Sequence, residues 1–343
     1  MIWDWSAQDL DRLATFLQER SVTCGPVSAR PIGDGHANLT YLVSDGDREV
    51  VVRRPPPPPI PRGANDVMRE ARLIAALAGT GVPVPEVVAV AREGELLDVP
   101  LYVMTYVRGV VFTDATPEAI AAPAHRREIA LDLIDTLAAL HAVDWRARGL
   151  EDFGRPEGFN GRHVQRMTRL VSAEDGEVDP RFAELAGWLT AHVPTESGAT
   201  ILHSDYRLGN VMIASEPPGR VLAVLDWELA TIGDPLLDVG YFLASYPRPG
   251  ESRTPTEDFG LALLEDGYPD RDELAARYAA ATGRDLTSLG WYETLAQYKL
   301  AALYEHSHRR AISGVGDQYY ADPELVPRFL DSARRTAGIP VAG

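Results

Sequence analysis

The chain has 343 residues, 45% of them hydrophobic, and 50 acidic against 33 basic residues give a formal net charge of −17. This composition fits a folded protein with sizeable cores; its acidic field disfavours nucleic acid and anionic membrane surfaces as partners and favours neutral or cationic small molecules. The single cysteine, Cys24, excludes an internal disulfide and a cysteine-based zinc site and matches a reducing compartment. No basic and apolar leader opens the chain, and no apolar run approaches the ~20 residues that span a bilayer. A water-soluble, cytoplasmic protein is expected, with no obligate protein partner evident.

After an amphipathic opening helix, residues 33–43 and 49–53 read as two strands joined by a tight turn at Asp45-Gly46, because β-branched residues flank the turn dipeptide. Pro55 to Pro59 follow as an extended connector, since proline donates no backbone hydrogen bond. From Asn65, apolar Val67, Ala71, Ile74 and Leu77 recur at helical steps and stop at Gly79 and Gly81, with Glu70 beside the stripe. Two strands are expected around residues 86–91 and 101–107. Beyond them the pattern is mainly helical: about 124–141, 181–191 and two segments between 272 and 310. Within this helical region, residues 211–213 and 221–225 flank Ser-Glu-Pro-Pro-Gly and read as a hairpin.

That hairpin carries the candidate chemistry. Mirror pairing about Pro218 places Asn210 opposite Asp226, and opposed residues have Cβ atoms roughly 5 Å apart, so an amide oxygen and a carboxylate could share a hard cation, Mg²⁺ being the natural one. Asp205, in His203-Ser-Asp-Tyr-Arg-Leu-Gly-Asn210, would add a third oxygen ligand or a proton acceptor. On the 49–53 strand, Val51 and Arg53 point to one sheet face. Glu70, costly to bury alone, is the expected partner of Arg53. Such a set of cation ligands, orienting carboxylate and fixed positive group is what phosphoryl transfer needs. Taken singly, His203 reads as a loop-holding residue, Asp234-Pro235 as a helix cap, and Asp238 as a carboxylate complementing the helix dipole.

His203-x-Asp205-x4-Asn210, followed by Leu225-Asp226, resembles the catalytic and metal loops of the aminoglycoside phosphotransferase and choline kinase superfamily. Residues 33–41 resemble its phosphate-covering hairpin, Arg53 its phosphate-binding basic residue, Glu70 the helix partner of that residue, and residues 102–107 its hinge strand. Gly35-His-Ala-Asn-Leu-Thr-Tyr, Arg53-Arg-Pro-Pro and Trp227-Glu-Leu-Ala-Thr-Ile-Gly look most like the phosphotransferase domains associated with acyl-CoA dehydrogenases. The resemblance implies a two-lobed, protein-kinase-like α+β fold: a small antiparallel-sheet nucleotide-binding lobe (1–107) and a mainly helical catalytic and substrate-binding lobe (108–343). It also implies ATP and Mg²⁺ as cofactors, with a small-molecule hydroxyl, such as that of a hydroxyacyl thioester, as the acceptor. Asp205 would orient or deprotonate that hydroxyl, and Asn210 and Asp226 would hold the metal. Gly35, Asn38, Arg53 and Glu70 would serve the phosphates, and the backbone of Thr105 and Val107 the adenine. Many superfamily members carry lysine where Arg53 stands. Two alternatives are an antibiotic kinase acting on aminoglycosides or macrolides, and a nucleotide-binding pseudokinase.

Overall fold

The computed structural model describes residues 5–33, 38–56, 65–172 and 178–340. The chain divides into two compact units, the first comprising Met1–Gly109 and Leu222–Glu228, the second Val110–Val221 and Leu229–Gly343. The sequence expectation divides the chain once, near residue 107; the first unit takes in seven residues from much later in the chain.

In the first unit, helix α1 (Ala7–Glu19) begins at Ser6, whose hydroxyl accepts from the Asp9 N–H at 3.1 Å and donates to the Asp9 carboxylate at 2.7 Å. This satisfies one of the amides that helix geometry leaves free. Strands β1 (Ser28–Pro31), β2 (Leu39–Ser44), β3 (Glu49–Arg54), β4 (Val87–Ala91) and β5 (Leu101–Thr105) form an antiparallel sheet in the order β1-β2-β3-β5-β4. The sequence pattern does not announce β1, which is four residues long, mostly exposed and at the sheet edge, where proline is tolerated. At the β2–β3 turn the Asp45 carboxylate accepts from the N–H groups of Cys24, Asp47 and Arg48 at 2.7–3.0 Å, and Gly46 takes φ +100°.

Side-chain alternation sorts this sheet. Tyr41, Val43, Val50, Val52, Leu101 and Val103 join Leu13, Phe16 and Leu17 of α1 in one buried cluster. Leu42, Val51, Arg53, Tyr102 and Met104 therefore share the other face. Helix α2 (Val67–Leu77) is capped by Asp66, which accepts from the Arg69 N–H at 3.0 Å, and it packs on β4 and β5. Its buried stripe is the expected Val67, Ala71, Ile74 and Leu77, together with Glu70 and Leu73.

The second unit is mainly helical: α3 (Pro123–His141), α4 (Phe159–Ser172), α5 (Pro180–Ala191), α6 (Leu236–Ala244), α7 (Arg271–Thr282), α8 (Leu289–Ile312) and α9 (Leu325–Thr336). Its short strand β6 (Thr200–Leu202) precedes β7 (Val211–Ile213) and β8 (Val221–Val224), the last passing into the first unit, and β9 (Thr231–Gly233) pairs with β6. Helix α8 is buried almost continuously from Trp291 to Ala302, Gln297 and Lys299 included, and packs against α4, α5, α6 and α9. Two helices go beyond the sequence reading. In α4 the buried stripe includes Asn160 and His163, which blurs the apolar period. In α9 the stripe Leu325, Val326, Phe329, Leu330 and Ala333 contains Pro327 in the first turn, where proline is harmless. No described helix is long and apolar enough to cross a membrane.

Gly240 sets the contact between α6 and α8. A Cβ there would lie 2.7–2.9 Å from the backbone and Cβ of Tyr292 and the backbone nitrogen of Glu293. Gly240→Ala is expected to lower stability by about 2 kcal/mol, the overpacking cost exceeding the helix-propensity gain. The urea unfolding midpoint checks this; an unshifted midpoint would mean that the two helices separate freely.

Candidate functional site

In the first unit, Arg53 is the centre of a charged group on the sheet face opposite α1. Its Nε donates to Glu70 at 3.0 Å and a terminal nitrogen donates to Asp226 at 2.6 Å; Glu228 lies 3.8 Å away. Glu70 is buried, and Tyr102, opposite Arg53 in the β3–β5 register, donates to it as well. Burial pushes the Glu70 carboxyl up, Arg53 opposing. Burial also works against the charge on Arg53, but Glu70, Tyr102, Asp226 and Glu228 outweigh it and hold the guanidinium pKa above its ordinary value. Asp226 lies past the end of β8 with φ +63°, a left-handed backbone that disfavours side chains.

Asn38 donates to Glu228 at 3.4 Å, while its Oδ1 is buried without a hydrogen-bond partner among the described residues. Thr105 spends its N–H on the Glu86 carbonyl at 2.9 Å, leaving at most its carbonyl for a ligand. Val107 makes no loop or turn hydrogen bond among the described residues. Gly35 lies outside the described residues.

In the second unit, the loop from His203 to Asn210 is held from several sides. Asp238 is fully buried and accepts from the peptide N–H groups of His203 and Ser204 at 2.6 and 2.8 Å, with His141 Nε2 at 3.5 Å. Burial alone would raise its pKa, but these hydrogen bonds and the neighbouring His141 and His203 rings hold it below the ordinary value. The buried Lys299 donates to the Ser204 carbonyl at 2.5 Å, and Ser204 adopts φ +69°. Burial pushes the Lys299 pKa down, with Asp205 and Asp238 opposing.

This frame presents Asp205. Asn210 Nδ2 donates to Asp205 Oδ2 at 2.7 Å and to the Asp205 carbonyl at 2.8 Å, the Tyr241 hydroxyl donates to Oδ1, and Arg207 Nε lies 3.5 Å from Oδ1. Two acceptors facing the same Asn210 atom require it to be the nitrogen. Its Oδ1 is an acceptor that neither of these two bonds uses.

The mirror pairing expected about Pro218 is not what positions Asn210 and Asp226. The turn closes through the Ala214 N–H and the Arg220 carbonyl at 2.8 Å, centring it on Pro217. Asn210 ends a single 3-10 turn before β7, and Asp226 lies in a loop after β8. Asp234 and Asp238 are also more than helix-end residues. Asp234 accepts from the Leu236 N–H, but also from Asn160, Ser197 and Tyr292, and is fully buried. Asp238, Lys299 and Tyr241 are functional-site neighbours that sequence reasoning missed. A lone acid in the otherwise apolar Leu-Leu-Asp-Val-Gly-Tyr-Phe-Leu-Ala was a usable signal for Asp238, since a buried charge needs partners; Lys299, between buried apolar residues, gave the same signal.

In the first unit, Asp226, Glu228 and Asn38 Oδ1 are hard oxygen donors. No group of three or more His, Cys, Asp or Glu suited to a metal occurs among the described residues. This donor set suits Mg²⁺, which takes one or two protein carboxylates and completes its shell with phosphate and water.

Asp238→Asn would turn an amide NH₂ or a weaker acceptor toward two backbone donors, and is expected to cost about 3 kcal/mol. Because the folded pKa of Asp238 is lowered, its stabilisation is complete above the ordinary value of 3.8 and is lost as pH falls through the folded value. Urea unfolding at a series of pH values should therefore show the gap between wild type and variant closing in acid. A gap independent of pH would contradict the assignment.

The family description matching residues 28–292 is "Phosphotransferase enzyme family". Acyl-CoA dehydrogenase family member 11 of Gallus gallus is 33% identical over 296 residues, 84% of this chain and 38% of that protein. The chain spans about a third of the length of the curated relatives it matches. A protein of Ralstonia eutropha JMP134, provisionally described as an aminoglycoside phosphotransferase, has a crystal structure similar at TM-score 0.82 and 30% identity, over 96% of this chain and 98% of that one. The GDP complex of aminoglycoside 2'-phosphotransferase-IIIa shares the fold at TM-score 0.62 and 17% identity, over 97% and 99% of the two chains. The matched span and the shared fold lead to one conclusion: the chain belongs to the phosphotransferase enzyme family and has a protein-kinase-like α+β fold.

Proposed function

We propose that this small-molecule phosphotransferase moves the γ-phosphoryl of Mg·ATP onto the hydroxyl of a metabolite, with a hydroxyacyl thioester as the acceptor class. The observation that carries this reading is the state of Asp205, a carboxylate fixed by Asn210 and Tyr241 on a loop gripped by Asp238 and Lys299. Such a carboxylate can orient an acceptor hydroxyl and take its proton through the lone pairs still free. Arg53, kept charged by Glu70, serves the nonreacting phosphates, and Gly35 and Asn38 belong to the segment that covers them. Thr105 and Val107 offer backbone groups to the adenine. Asn210 and Asp226 hold Mg²⁺, which when bound neutralises phosphate charge during in-line transfer. Catalysis then comes from positioning and charge stabilisation, with no covalent enzyme intermediate.

The acceptor class is supported by the curated relatives, named as acyl-CoA dehydrogenase family members, part of whose length this chain resembles. The solved structure from Ralstonia eutropha favours a second reading, an aminoglycoside acceptor, through its description.

Calorimetric titration of Mg·ATP is expected to show metal-dependent binding by the wild type that Asp226→Ala abolishes. Asp205→Ala should keep that binding and lower turnover by about a hundredfold or more. Turnover would be followed in a screen that pairs hydroxyacyl thioesters with aminoglycosides. Absence of nucleotide binding, or near-full turnover in Asp205→Ala, would overturn the mechanism; turnover of aminoglycosides alone would replace the acceptor.

A further inference from the structure

Tyr241, three residues beyond Asp238 on α6, is 4% exposed, and its hydroxyl donates to Asp205 Oδ1. The Lys299 ammonium lies 4.9 Å from the centroid of its ring. The same ammonium donates to the carbonyl of Ser204, the residue preceding Asp205, at 2.5 Å. One buried cation therefore supports both the backbone that carries Asp205 and the tyrosine that meets its carboxylate. A phenylalanine would fill the same space, so packing alone does not account for the hydroxyl.

Counting donors shows what the hydroxyl adds. Asn210 reaches Oδ2 at 2.7 Å, and the Tyr241 hydroxyl reaches Oδ1. Rotation about the terminal bond of an aspartate is broad and roughly two-fold, so a single donor leaves the carboxylate plane free to swing. Two donors on different oxygens, one from α6 and one from the 203–210 loop, fix that plane. Arg207, 3.5 Å from Oδ1, is too distant for a hydrogen bond and does not replace the hydroxyl.

We propose that Tyr241, supported by Lys299, is a positioning residue that fixes the rotation of the Asp205 carboxylate, so that its free lone pairs face the acceptor hydroxyl. This rests on the reading of Asp205 as the acceptor-side carboxylate.

Tyr241→Phe keeps the ring and removes the hydroxyl. The probe is Mg·ATP with water as acceptor, read as initial hydrolysis rates, alongside the nucleotide Kd from calorimetry. The expected result is a fall of about tenfold in kcat with KM and Kd for Mg·ATP within about twofold of wild type. A purely structural role would instead lower the unfolding temperature and leave kcat per folded molecule unchanged, overturning the proposal. Crystal structures of wild type and variant decide the same point without turnover: a carboxylate turned from its wild-type orientation supports the proposal, and an unchanged one overturns it. A wild type that neither binds nor hydrolyses Mg·ATP counts against the proposed function, while the carboxylate orientation still decides the role of Tyr241.

Discussion

The second unit depends on a carboxylate that meets no water. Asp238 sits in the first turn of an otherwise apolar helix and accepts two peptide N–H groups from the loop that presents Asp205. Removing a carboxylate from water costs several kcal/mol, and that cost is offset only where its oxygens are well satisfied. The requirement runs in both directions: the helix needs the loop to satisfy its acid, and the loop needs the acid to hold Ser204 in a left-handed backbone. Lys299 supplies the complementary charge from α8, so three separate parts of the chain must agree before Asp205 has a defined position.

The first unit solves a similar problem with a cation. A guanidinium is a planar fork, and Arg53 uses it in two directions at once, Nε toward Glu70 and a terminal nitrogen toward Asp226. A lysine ammonium offers one point charge and could not reproduce both contacts in a fixed plane. Arg53 thus has a definite geometric role, and Tyr102 completes it by donating to Glu70.

Much of this was legible because it follows from period. Two-residue alternation put Val51 and Arg53 on one sheet face, and the three- and four-residue steps of α2 brought Glu70 to the same place. The 203–210 spacing was legible as a pattern, whereas its geometry was not: Asn210 and Asp226 lie just outside their strands, so strand-pair symmetry does not govern them. Helix α4 was obscured because Asn160 and His163 occupy positions that periodicity expects to be apolar. Tyr241 was invisible for a different reason: a tyrosine in an apolar helix looks like core until the partner of its hydroxyl is known.

The return of Leu222–Glu228 to the first unit has a consequence for biosynthesis. When the ribosome has released residues 1–109, the sheet, α1 and α2 are all available, yet Asp226 and Glu228 do not exist until residues 110–221 have also been made. In that interval Arg53 has Glu70 as its carboxylate partner, and Asn38 lacks the acceptor on Glu228. Completion of the first unit is therefore a late, long-range event in the life of the nascent chain, and an N-terminal fragment ending at Gly109 would carry the sheet without the carboxylates that finish its charged face.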